Sequence, residues 1–127
     1  MFSNLRFVFF WVVLLVCMSC PAWAAEDHLV GSYRVEGTYA SGKKYGPGTV
    51  TIAKRGASYM VVWSGFGEPA FKGVGILEGD VFAANFVDSS DGDGVMLLRR
   101  DVDKWVGKWV VVPGNGELHQ ETWIKVK

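Results

Sequence analysis

Histidine is the side chain best suited to proton transfer near neutral pH, and this 127-residue chain has two, His28 and His119. Nucleophilic catalysis needs a serine or cysteine beside such a base. No Gly-x-Ser-x-Gly elbow occurs, and both cysteines, Cys17 and Cys20, fall within the first twenty residues. On a strand, Glu117, His119 and Glu121 share one face. They would make a local hydrogen-bonded cluster or a weak ion site, but one histidine with two carboxylates is a common surface composition. The run Asp88-Ser89-Ser90-Asp91-Gly92-Asp93-Gly94 has the oxygen ligands and turn glycine that calcium needs. Its register fails: with Asp91 and Asp93 as the third and fifth loop residues, the twelfth is Arg100, not a bidentate glutamate. A hairpin loop is expected there. We therefore expect no catalytic residue, metal or cofactor.

Binding chemistry is better supplied. Tyr33, Tyr59, Trp63, Phe86, Trp105 and Trp109 fall on alternating positions of candidate strands. Turned into one interior, they would stack on a flat apolar ligand or fill the space themselves as a packed core. Ser41-Gly42-Lys43-Lys44-Tyr45 is a glycine turn with basic and aromatic tips. It suits either a protein partner's acidic cleft or an ordinary solvated hairpin. Arg99-Arg100 would anchor an anionic head group or end a strand in water.

These residues need strands to position them. Ser32–Glu36, Thr49–Ile52, Ser58–Ser64, Ala70–Leu77, Val81–Val87, Val95–Leu98, Lys104–Val112 and Glu117–Val126 read as eight strands, most alternating with period two. Val95–Leu98 is apolar on both faces. Turn signals separate them: Ser41-Gly42, Arg55-Gly56, Glu78-Gly79-Asp80, Asp91-Gly92-Asp93-Gly94 and Pro113-Gly114-Asn115-Gly116. Links this short join neighbouring antiparallel strands. The expected fold is all-β, a small antiparallel up-and-down eight-stranded barrel, with a two-sheet sandwich as the alternative.

Met1 to Ala24 reads as a secretory signal peptide, with Arg6 as the basic residue, Phe7 to Met18 as the apolar run and Ala22-Trp23-Ala24 as the cleavage pattern. A retained N-terminal anchor and lipidation at Cys20 are the alternatives. Cleavage leaves one domain, residues 25–127, without cysteine, so packing and sheet hydrogen bonds alone must hold it. The expected location is periplasmic or secreted. Thirteen basic residues balance 13 acidic ones, which excludes a nucleic-acid binder resting on phosphate neutralisation. The 50% hydrophobic content excludes a disordered chain. No stable membrane insertion is expected after cleavage.

Gly31-Ser32-Tyr33 at the start of the first strand, Gly107-Lys108-Trp109 later, and the final Glu121–Lys127 strand resemble the calycin-type meander barrels, particularly the avidin-like ones. The biotin-binding residues of avidins have no counterpart here, so that ligand is not implied. Tyr45-Gly46-Pro47-Gly48, Tyr59-Met60-Val61-Val62-Trp63 and Gly107-Lys108-Trp109 are similar to the repeats of small exported bacterial proteins labelled fibronectin-binding. Ser41-Gly42-Lys43-Lys44-Tyr45 resembles the Ser-Gly-x-x-Tyr loop of periplasmic lysozyme inhibitors. Residues and resemblances together lead us to expect an exported, non-enzymatic binding protein. Its ligand is a small apolar or aromatic molecule in the barrel, or a protein on its loops. The alternative is an inhibitor of a cell-wall hydrolase acting through Ser41–Tyr45.

Overall fold

Period-two alternation turns one side of each strand inward, and a meander of eight such strands can close only by joining its first strand to its last. The computed structural model, which describes residues 28–67, 70–88 and 92–127, has that closure. The strands are β1 (Gly31–Thr38), β2 (Lys44–Arg55), β3 (Ser58–Ser64), β4 (Phe71–Glu78), β5 (Val81–Asp88), β6 (Gly92–Asp101), β7 (Lys104–Val111) and β8 (His119–Lys125). Each pairs antiparallel with the next, and β8 pairs with β1 from Tyr33↔Lys125 to Thr38↔Gln120. The sandwich alternative is thereby excluded. Closure leaves no open sheet edge. The leader read at Met1 to Ala24, with Cys17 and Cys20, lies outside the described residues, as do Ser89 to Asp91 of the acidic run.

Two strands outgrow their apolar runs. Backbone groups make the ladder, so polar residues extend it wherever a partner strand continues. β6 therefore runs on through Arg99 and Arg100, opposite Val106 and Trp105 of β7. β2 begins at Lys44 and takes in the Tyr45–Gly48 stretch. Val95 and Leu97 of β6 are more than half exposed on the outer face, while Met96 and Leu98 are buried inside.

The two ends of the barrel differ. At one end lie three two-residue turns, after Arg55, Glu78 and Asp101, together with the segment entering β1. Each turn has a positive φ at its first residue: Gly56 (61°), Gly79 (59°) and Val102 (58°). Glycine takes that conformation freely, whereas a β-branched valine is strained in it. Leu29 plugs this end and is fully buried. Its carbonyl accepts a 2.6 Å hydrogen bond from the Tyr33 hydroxyl. Burial raises the pKa of that phenol above its ordinary value. Above the plug, Tyr33, Ile52, Tyr59, Phe82, Leu98 and Trp105 are 2% exposed or less. Trp123, with no exposed surface, spans the waist. Its ring lies about 6 Å from those of Tyr33, Phe82 and Trp63.

Candidate functional site

Beyond Trp123 the interior is no longer filled. A cavity of about 280 Å³ opens toward the other end of the barrel. Trp63 of β3, Phe71 of β4, Phe86 of β5, Met96 of β6, and Trp109 and Val111 of β7 wall it. Tyr39, Tyr45 and Phe66 surround its mouth, and Glu121 of β8 is its polar group.

Alternation alone brings most of these residues inward. Trp63 follows Tyr59 and Val61 on one face of β3, and Trp109 follows Trp105 on β7. The aromatic rings fit because glycines stand opposite them. Gly94 pairs with Phe86, and a Cβ there would strike that ring. Gly48 likewise leaves space for Phe66.

Tyr45 arrives by a different route. Counted without interruption from Val35↔Gly48, it would face outward. The β1–β2 register shifts by one residue between Val35 and Gly37, so that Tyr45 pairs with Gly37. An extra residue in one strand reverses the facing of everything beyond it. The bulge at Gly46-Pro47 thus turns Tyr45 into the barrel, over the bare Cα of Gly37.

Glu121, 6% exposed, is the buried charged side chain among the described residues. Its Oε2 accepts from Trp123 Nε1 at 2.7 Å and from Trp63 Nε1 at 3.3 Å. Oε1 lies 3.0 Å from the Tyr45 hydroxyl. That hydroxyl accepts from Trp109 Nε1 at 2.8 Å and is also 3.1 Å from the Gln120 carbonyl. Burial holds the Glu121 carboxyl above its ordinary pKa, partly offset by the hydrogen bonds from Trp123, Tyr45 and Trp63. The Tyr45 phenol is also raised, by burial first and by the adjacent Glu121 charge second. A phenol has one proton, and here two acceptors stand within its reach. That proton goes to Glu121 or to Gln120, one at a time.

The structure brings together three of the six aromatics that the sequence singled out, Trp63, Phe86 and Trp109. Tyr33, Tyr59 and Trp105 lie in the packed half. In the β1–β2 turn, Ser41, Gly42, Lys43 and Lys44 are exposed and Tyr45 is withdrawn into the cavity. His119 sits at the rim, where its Nδ1 accepts from the Ala40 amide at 2.9 Å and its ring lies 4.3 Å from that of Trp109. Glu117 is exposed and precedes β8, so the carboxylate–histidine trio is not assembled. No group of three potential metal ligands occurs among the described residues. Arg100 lies at the packed end, 3.0 Å from His28 Nε2, away from the cavity. The sequence reading missed Tyr39, Phe66, Phe71, Met96 and Val111. It placed Glu121 beside His119 but did not draw the consequence that both share the inward face of Trp123.

No protein-family profile and no curated protein sequence matches the chain. Solved structures do match in shape. The "REP1-NXSQ fatty acid transporter" superposes with a TM-score of 0.51 at 12% identity, covering 80% of this chain and 98% of that one. Apo lipid binding protein 8 from Caenorhabditis elegans gives 0.51 at 9%, covering 83% and 100%. A variant of the fluorescent protein UnaG gives 0.50 at 11%, covering 80% and 98%. At such identities the likeness is one of fold alone, that of a closed antiparallel β-barrel.

Proposed function

We propose that this protein is an exported, non-enzymatic binding protein that holds a small apolar or aromatic ligand in the open half of its barrel. The observation that carries this is the aromatic-walled cavity lying above a fully packed half. A chain able to fill its lower interior leaves the upper one open, with apolar walls and a single buried polar cluster, which is the usual make-up of a ligand site. Fold neighbours named as a fatty acid transporter and a lipid binding protein support the reading. Export rests on the leader read at Met1 to Ala24, and with it a periplasmic or secreted location. The narrower likenesses, to avidin-type barrels and to proteins labelled fibronectin-binding, rest on Gly31-Ser32-Tyr33, Tyr59–Trp63 and Gly107-Lys108-Trp109. Recognition of a protein partner by the Ser41–Lys44 turn lacks its aromatic tip, because Tyr45 faces inward.

The volume bounds the ligand. An apolar cavity of about 150 Å³ holds benzene, so about 280 Å³ admits one or two rings. A twelve-atom probe such as 2-naphthylmethanol, at about 0.5 kcal/mol per non-hydrogen atom, would bind with a Kd of roughly 40 µM. Isothermal titration calorimetry on the mature protein checks this. Binding that weakens in Phe86→Trp, whose larger ring takes up part of the cavity, supports the site. No heat from any one- or two-ring apolar probe at millimolar concentration would overturn the proposal.

A further inference from the structure

The Glu121 cluster limits which polar group a ligand can bring. We infer that the cavity selects ligands whose polar group is a hydrogen-bond donor, an amine above all, and turns away carboxylates. The inference rests on the binding reading above and deepens it.

An incoming anion needs a cation or unused donors, because a buried charge without partners is strongly unfavourable. No lysine, arginine or histidine is among the residues lining the cavity. The buried donors that face it are already committed. Trp63 Nε1 is directed at Glu121 Oε2, Trp109 Nε1 at the Tyr45 hydroxyl, and the Tyr45 proton at Glu121 or Gln120. A ligand carboxylate would therefore sit beside a carboxyl group with nothing to neutralise either.

A cation meets the opposite situation. Glu121 Oε1 has a neighbour in Tyr45 alone among the described side chains, against two indoles on Oε2. A carboxylate oxygen accepts more than one hydrogen bond, so an ammonium can add to Oε1 without displacing the indoles. The walls act in the same direction. The faces of Trp63, Phe86 and Trp109 attract a cation held over them.

Three probes sharing one ring system separate the possibilities: 2-naphthylmethylamine, 2-naphthylmethanol and 2-naphthoate, titrated calorimetrically at pH 7. The amine should bind at least about tenfold more tightly than the carboxylate, the margin expected of one charge-assisted hydrogen bond. In Glu121→Gln that ratio should fall below about threefold. A second readout needs no variant. The indole N–H resonances of Trp63 and Trp123, which point at Glu121, should reach half their full shift at an amine concentration at least about tenfold below that needed of the carboxylate. Naphthoate binding as tightly as the amine overturns this inference and leaves the binding reading intact, as does an unchanged ratio in the folded variant. Failure of all three probes to bind overturns both.

Discussion

The two halves of the barrel are built from the same alternation, yet they end differently. In the packed half, Tyr33, Tyr59, Phe82 and Trp105 fill the lumen, a leucine plugs it, and the strands turn in two residues. In the open half, Phe86 and Tyr45 lie across the strand glycines Gly94 and Gly37, and a cavity remains between the rings. Aromatic residues are plentiful in both, so their number does not decide which half is hollow. Nor does a ring backed by glycine, since Phe82 lies over Gly75 in the packed half as Phe86 lies over Gly94 in the open one; what differs is that the buried Leu29 plug and Trp123 at the waist fill the axis of the packed half.

That contrast can be broken by truncation. Trp123→Ala at the waist should destabilise the protein by about 3–5 kcal/mol, since it opens a void on all sides. Phe86→Ala enlarges a void already present, and should lose mainly the transfer contribution, about 1.5–3 kcal/mol. Urea denaturation of both variants measures the difference. Equal losses would mean that the open half is packed as tightly as the other.

A smaller effect sharpens the electrical side of the comparison. Glu121 has its pKa raised above 4.5 by burial in the folded state. Below that value it is protonated whether folded or not, and its contribution to stability is fully present. As pH rises, the unfolded carboxyl ionises first, and that contribution is lost until the folded-state carboxyl ionises too. Glu121→Gln should therefore gain stability over wild type as pH climbs above 4.5, with the difference vanishing in acid. Melting temperatures of the two proteins across pH 3 to pH 8 show the sign.

The smallest effect lies at the packed end. Val102 holds the positive φ that Gly56 and Gly79 take in the two neighbouring turns. Relief of that strain outweighs the added freedom of glycine in the unfolded chain. Val102→Gly should raise stability by about 0.5–1 kcal/mol, measurable in the same urea titration, with the affinity for an apolar probe at the far end unmoved.

Much of this was legible beforehand. Runs such as Tyr59-x-Val61-x-Trp63 and Phe82-x-Ala84-x-Phe86 show their inward faces by alternation alone, and the short links between runs imply an antiparallel meander. Gly56 and Gly79 mark their turns by chemistry that only glycine satisfies without strain. The turn at Val102-Asp103 carries no such mark. Glu121 was within reach, because it stands two residues from Trp123 and period two places both inside. Phe66 was not, since it lies in an irregular connection where no period applies.

Strand count, sheet type and the inward set follow from the order of residues, because side-chain facing along a strand is a local property. The sequence by itself also determined that no cysteine beyond Cys20 could staple the fold. Only the tertiary structure decided the rest. Pairing across β1 and β2 inserted the bulge that brings Tyr45 inward. Closure of β8 onto β1 set Glu121 within reach of two donors from other strands, Tyr45 of β2 and Trp63 of β3. The division into a packed and a hollow half depends on how rings from eight strands share one interior, and that is a distance in space which no spacing along the chain encodes.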